Sequence, residues 1–141
     1  MGRLIYLLDT NIVSELSKRN VSMAVAKRFQ LQELRCALCA TVVQELSYGL
    51  QRLPKGQRRT VLQDFFDALL QTGPEVLPYD KGAALWHAAE RARLEARGRP
   101  APYRDGEIAA IAAVNKLILV TRNTADFKLF SGLRVENWFK A

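Results

Sequence analysis

Hydrophobic residues alternate along the chain between short continuous runs and stripes of helical spacing. The run Leu4-Ile5-Tyr6-Leu7-Leu8 is the signature of a strand buried on both faces. Leu34–Ala40 and Leu117–Thr121 read the same way, Glu75–Tyr79 reads as a short strand, and Leu133–Glu136 as an edge strand. Between these lie helices. A short one is predicted over about 12–18 and a second over about 22–32. Thr41-x-x-Gln44 reads as a capping box, opening a helix with Val42, Val43, Leu46, Leu50 and Leu53 on one face. Pro54-Lys55-Gly56 breaks it, and an amphipathic helix follows over about 57–70, with Val61, Leu62, Phe65, Phe66, Leu69 and Leu70 inward. A helix over 81–97 carries the stripe Leu85, Ala88, Ala89, Ala92 and Ala96, and Gly98-Arg99-Pro100 ends it. Asp105 is expected to open the next helix, with Ile108, Ile111 and Ala112 inward, and 122–130 to be a loop with a helical turn. Strands alternating with helices imply an α/β sandwich rich in parallel strands, whose ligands gather beyond the C-terminal ends of the strands.

No repeat, low-complexity tract or Pro/Gly-rich linker interrupts this pattern, so 1–141 is read as a single domain. Composition is ordinary for a globular chain, with 49% hydrophobic and 25% charged residues. Charge changes the picture more. Lys and Arg number 21 against 14 Asp and Glu, and the +7 excess is spread over Lys18-Arg19, Lys55, Arg58-Arg59, Arg91, Arg93, Arg97, Arg99 and Arg104. A distributed basic surface favours a polyanionic partner, most often nucleic acid, although a basic protein without one has the same composition. No stretch approaches the ~20 apolar residues of a membrane helix. Leu4–Leu8 is too short for a signal peptide, and Tyr6 stands where a myristoylation motif wants Ser or Thr. A cytoplasmic location is therefore expected. Cys36-x-x-Cys39 lies on a strand, where residues three apart face opposite sides ~10 Å from each other, so two reduced, buried thiols are expected rather than a disulfide or half a zinc site.

Four acids fall where this topology brings chain segments together. Asp9 directly follows the first strand, and Asp126 lies shortly after strand 117–121, at the same edge of a parallel sheet. Asp105 begins a helix running antiparallel to that strand, which returns its N-terminus to that edge. Glu45 sits in the first turns of the helix after the second strand, one turn before Gly49. Two carboxylates ~4 Å apart repel by ~4 kcal/mol at an effective dielectric of ~20. Either some are protonated or a divalent cation neutralises them, and oxygen-only ligands favour Mg²⁺ or Mn²⁺. On that basis Asp9 and Asp105 are candidate direct ligands, with Glu45 and Asp126 binding a second ion or orienting water. Each acid also has a purely structural reading: Asp9, Asp105 and Asp126 as helix or loop caps, Glu45 as a solvated flank.

The stretches Leu7–Asn11, Thr41–Gly49, Asp105–Ala110 and Thr121–Phe127 resemble, in order, the four motifs of PIN domains of the VapC toxin type, and Leu133–Trp138 is similar to the last strand and tail of the FitB-like branch. The resemblance covers nearly the whole chain. It implies a PIN-like three-layer α/β/α sandwich with a mainly parallel central sheet, and a Mg²⁺- or Mn²⁺-dependent endoribonuclease cutting structured RNA such as tRNA or rRNA. It further implies the toxin role in a type II toxin–antitoxin pair, homodimerisation, and a VapB-like antitoxin that blocks the acidic site and alone supplies operator-DNA binding. Asp9, Glu45, Asp105 and Asp126 match the family's acidic positions, Asn11 and Thr121 its supporting polar positions. Glu107 is an extra acid, read on helical phase as facing solvent.

The lone His87 offers little basis for metal-free acid–base cleavage and reads as a core or surface histidine. Arg93, Arg97, Arg99, Arg104 and Arg122 are candidate phosphate contacts; for the series Arg91, Arg93, Arg97, Arg99 and Arg104 a solvated helix face is the alternative. A DNA or RNA-processing nuclease without a toxin role, or an inactive nucleic-acid-binding module, would present similar motifs. Helices 22–32 and 57–70 carry more apolar side chains than one small sheet needs; they either complete the core or form a surface for a second protomer or an antitoxin helix.

Overall fold

The computed structural model describes residues 3–140. The apolar runs form strands β1 (Tyr6–Leu8), β2 (Cys36–Cys39), β3 (Glu75–Leu77), β4 (Ile118–Val120) and β5 (Val135–Glu136). They align in the order β3-β2-β1-β4-β5. Every pairing is parallel, including that of the edge strand β5. Parallel neighbours need long crossovers. Helices α1 (Thr10–Leu16), α2 (Met23–Gln32), α3 (Ala40–Arg52), α4 (Gln57–Thr72), α5 (Lys81–Ala96), α6 (Tyr103–Val114) and α7 (Thr124–Phe127) supply them, with a 3-10 turn at Glu33–Arg35. The sheet is buried as its composition requires: Leu7, Leu38, Leu119 and Val120 are fully inaccessible. Sequence order runs outward from β1 through β2 to β3 on one side and through β4 to β5 on the other. The C-terminal ends of β1 and β4 therefore flank the crevice where such sheets bind ligands.

Four local readings are corrected by packing. Cys39, not Thr41, caps α3, and Thr41 instead donates its hydroxyl to Glu107 Oε1 at 3.2 Å, so Glu107 is half-buried rather than solvent-facing. Helix α6 opens two residues before Asp105, behind Pro102, which puts Arg104 and Asp105 together in its first turn. Helix α5 packs through Ala83, His87, Glu90 and Leu94, while Leu85 is 64% exposed and Ala88, Ala89, Ala92 and Ala96 also face outward. The apolar stripe misleads because two polar residues on the packed face find partners. Glu90 accepts two bonds from Arg93, at 2.9 and 2.8 Å, and the Ser131 N–H at 2.7 Å. The His87 ring shares a 2.8 Å hydrogen bond with the Tyr79 hydroxyl and lies against Gly106 of α6, where a Cβ would collide with it.

On α4 only Phe66 is buried; Val61 and Leu70, expected inward, are exposed. Met23 and Leu31 of α2 are exposed as well. Trp138 is fully buried, edge-on to Tyr6 at 5.2 Å, and anchors the C-terminal tail under the sheet. Cys36 and Cys39 are buried and free, as expected from their strand. Among the described residues no helix is long and apolar enough to cross a membrane.

Candidate active site

Asp9 occupies the first position after β1, its N–H bonded to the Val120 carbonyl at 2.9 Å, and it is fully buried. Such a carboxylate requires donors all round. Oδ1 accepts the Thr10 N–H at 2.7 Å and Arg104 Nη2 at 2.8 Å. Oδ2 accepts the Thr121 hydroxyl at 2.7 Å, with Asn11 Nδ2 at 3.4 Å. Asn11 also bridges outward, accepting the Arg122 N–H on Oδ1 at 3.0 Å. The ends of β1 and β4 are thus stitched into one floor.

Arg104 stands over that floor and gathers the other acids. Its Nε donates to Glu45 Oε2 at 2.5 Å, Nη2 to Glu45 Oε1 at 2.8 Å, and Nη1 to Asp105 Oδ1 at 2.9 Å. Glu45 Oε1 also accepts the Thr10 hydroxyl at 2.6 Å. Burial pushes the Glu45 carboxyl up, but the Arg104 and Thr10 bonds outweigh it and hold Glu45 below its ordinary value. For Asp105 the balance reverses: burial, aided by the charges of Asp9 and Asp126, raises its carboxyl despite Arg104. Burial opposes the charge on Arg104, yet its bonds to Glu45 and Asp105 and the charge of Asp9 raise its pKa further. The cluster anticipated from sequence is therefore assembled around a guanidinium.

The structure brings Asp9, Glu45 and Asp105 together; Asp126 is exposed on α7 and bonds none of them, although its charge reaches Asp105. Asn11 and Thr121 lie where the motif reading put them. The expected phosphate contacts divide. Arg93 is committed to Glu90 and to the Leu129 carbonyl at 2.8 Å, which makes it a packing residue. Arg97 and Arg99 are exposed but do not line the cleft at the acids. Arg104 faces inward to the carboxylates, and Arg122 does line the cleft. This cleft, of about 630 Å³, runs past Thr10, Glu45 and Arg104 and adds Lys18 and Arg52 to its basic lining. Gly49 opens onto it, with nothing within 4 Å of where a Cβ would sit.

Oxygen donors alone are the right kind for Mg²⁺ or Mn²⁺. The three carboxylates share one centre, so the donor set fits such an ion in kind, while their present spacing answers to the guanidinium. Among the described residues no group of three or more acids, histidines or cysteines is spaced to hold a metal directly. The model for the PIN domain family matches residues 6–132, a span that takes in all four acids. The chain belongs to the PIN-domain family.

This PIN domain is 33% identical over 133 residues to the tRNA(fMet)-specific endonuclease VapC of Shigella flexneri, covering 94% of this chain and 97% of that protein. It is 32% identical over 124 residues to the toxin FitB of Neisseria gonorrhoeae, covering 86% and 89% respectively. A solved structure of FitAB bound to a DNA fragment superimposes with a TM-score of 0.88 at 27% identity, covering 97% of both chains. The PIN fold expected from the motifs is thus the fold observed, in the VapC-type branch. Sequence reasoning missed Thr10, Lys18, Arg52 and the inward role of Arg104. The last had one local signal, an arginine beside an acid in a helix's first turn.

Proposed function

We propose that this chain is a Mg²⁺- or Mn²⁺-dependent endoribonuclease and the toxin of a VapBC-like type II toxin–antitoxin pair. The observation that carries the reading is the convergence of Asp9, Glu45 and Asp105 on one centre, beside a cleft that Glu45 and Arg104 line together with Lys18, Arg52 and Arg122. Nothing in packing alone requires three carboxylates there. The names of the VapC and FitB relatives support a ribonuclease and a toxin.

Asp9 and Asp105 are the direct metal ligands, while Glu45 and Asp126 hold a second ion or orient water. When bound, the divalent ion supplies the Lewis acidity that makes water a nucleophile near neutral pH and offsets charge on the phosphate. Thr121 and Asn11 fix the rotation of the Asp9 carboxylate, and Thr10 fixes that of Glu45. Arg122, Lys18 and Arg52, which line the cleft, hold backbone phosphates, and a structured RNA such as tRNA or rRNA is the substrate. Residues 1–141 act as a single domain in the cytoplasm. The exposed apolar faces of α2 and α4 meet a second protomer or a VapB-like antitoxin, and operator DNA is bound only through the antitoxin.

The test is direct. Purified protein with Mg²⁺ or Mn²⁺ should cleave RNA, EDTA should stop it, and Asp9→Asn should abolish it. Cleavage that survives EDTA and Asp105→Asn would overturn the mechanism. A small antitoxin-like reading frame beside the gene should encode a protein that co-purifies with the chain and suppresses cleavage.

A further inference from the structure

The centre of the acid cluster already holds a cation supplied by the chain itself. All three nitrogens of the Arg104 guanidinium are engaged by carboxylate oxygens: Nε and Nη2 on Glu45, Nη2 on Asp9 Oδ1, Nη1 on Asp105 Oδ1. A divalent ion bound by Asp9 and Asp105 would draw on these same carboxylates, each of which already gives one oxygen to the guanidinium. Two cations on one set of oxygens repel strongly inside a partly buried site. The balance also leaves room for exchange, since three acids against one guanidinium keep two negative charges in excess.

Two features make the guanidinium, rather than the acids, the part that moves. Two of the three acids keep other partners when it leaves: Asp9 retains the Thr10 N–H and the Thr121 hydroxyl, and Glu45 retains the Thr10 hydroxyl. Arg104 has few other ties; among the described residues its one remaining side-chain bond is a 3.4 Å contact to Thr10 Oγ1. Its side chain is 33% exposed, against 0% for Asp9 and 9% for Asp105, so it covers the floor from the cleft side. A long side chain on the first turn of α6 can swing outward without displacing the helix. Outward lies the stretch of cleft lined by Lys18, Arg52 and Arg122, where a planar fork of donors matches a phosphate as well as it matches a carboxylate.

We propose that Arg104 and the divalent ion are mutually exclusive occupants of the Asp9–Glu45–Asp105 cage, metal loading turning the guanidinium outward to the RNA phosphate. Arg104 then holds the acids in place while metal is absent and becomes a substrate-binding residue once it is present. This inference rests on the metal-nuclease reading above and adds the identity of the group that the metal displaces.

The experiment reads Arg104 itself. In ¹⁵N-labelled protein without RNA, the Arg104 Nε–H signal, assigned by its loss in Arg104→Gln, should shift toward the position of a free arginine as Mg²⁺ is added, in step with metal occupancy measured by calorimetry. Arg104→Gln should bind Mn²⁺ at least tenfold more tightly than the native chain and, at saturating Mn²⁺, show a KM for RNA raised at least tenfold. An Nε–H signal that stays in place at full Mg²⁺ occupancy overturns the exchange even if the variant does not fold, as do equal Mn²⁺ affinities in the folded variant and the native chain. An unchanged KM overturns the phosphate contact. No metal uptake by either protein removes the exchange and the metal-nuclease reading together. RNA left uncut by a chain showing both metal responses removes the nuclease reading and leaves the exchange standing.

Discussion

Thr121, the residue after β4, donates its hydroxyl at 2.7 Å to Oδ2 of Asp9, the residue after β1, 112 positions earlier in the chain. Both residues are fully buried, so the bond has no water to replace it. Its neighbours extend the reach of this hydroxyl, which also accepts the Asn123 N–H at 3.1 Å and Asn11 Nδ2 at 3.3 Å. Thr121→Val keeps the volume and removes the hydroxyl. It should weaken Mn²⁺ binding by about 10–100-fold, as loss of an outer partner of a metal ligand typically does. It should also lower stability by about 1–3 kcal/mol, because a buried carboxylate oxygen loses its donor. Calorimetry and urea unfolding read the two effects, and Thr121→Ser should restore most of both. Unchanged Mn²⁺ affinity in Thr121→Val would remove Thr121 from the site.

The contact between Gly106 and His87 gives a prediction of opposite sign to helix propensity. An alanine inside a helix ordinarily gains about 1 kcal/mol over glycine. Here the added methyl meets the buried imidazole ring, which Tyr79 and the Tyr103 ring 4.6 Å away hold in position. Overpacking of that kind costs about 1–3 kcal/mol. Gly106→Ala should therefore lower the urea midpoint, and His87→Ala in the same background should recover part of the loss. A midpoint raised by Gly106→Ala alone would show that the ring yields freely.

Acid should destabilise the fold in a specific window. The Arg93 bonds hold the Glu90 carboxyl below its ordinary value of 4.5; burial opposes them, and the Ser131 N–H adds to them. A lowered folded-state value means that the carboxylate contributes stability that is complete above 4.5 and lost as pH falls through the lowered value. Glu15 and Glu45 are shifted in the same direction. Asp105, raised by burial, works oppositely: its contribution is present at low pH and disappears as pH rises through the raised value. With three groups against one, Tm should fall as pH drops below about 4.5. Glu90→Gln should lower Tm at neutral pH and flatten this acid limb. An equally steep limb in Glu90→Gln would assign the acid sensitivity to other groups.

The two thiols should be silent in the native state. Burial pushes Cys36 up to about 12, helped by the charge of Glu33. Cys39 is pushed up to about 11, again by burial, against the opposing hydrogen bonds from the backbone of Val42 and Thr41. Only the thiolate attacks a thiol reagent. At pH 8 the folded chain should show almost no reaction with an aromatic disulfide, and two equivalents should react in denaturing urea. Rapid labelling without denaturant would place at least one thiol at the surface.

How much of this was legible in sequence depended on whether the deciding partners were local. Strands β1, β2 and β4 were readable because a strand buried on both faces has a continuous apolar signature, as Leu7-Leu8 and Leu117–Val120 show. The convergence of Asp9 and Asp105 was readable from the order of strands and helices, since parallel strands fix which ends share an edge. The packed face of α5 was not. Glu90 is satisfied by Ser131, 41 residues away, and neither its burial nor that of His87 leaves a trace in hydrophobic spacing. Arg104 is a similar problem in the site: Asp105 is its neighbour, but its other two carboxylate partners lie 95 and 59 residues upstream, so the sequence shows one partner of three. The likeness to the PIN motifs picked out Asp9, Glu45 and Asp105, which the structure brings together, and Asp126, which it leaves exposed, and carried no information about an arginine among them.

Four consecutive residues at the start of α6 have separate duties: the Tyr103 ring lies tilted against His87, Arg104 lines the cleft, Asp105 is buried against the Arg104 guanidinium, and Gly106 receives the imidazole. An α-helix turns about 100° per residue. The ring of His87, wedged against one azimuth of α6, therefore acts as a rotational stop that fixes the direction in which the two charged side chains leave the helix axis. A change at His87 of α5 would be felt at Arg104 and Asp105 as a twist of α6. In this chain the aim of the chemistry is set from behind.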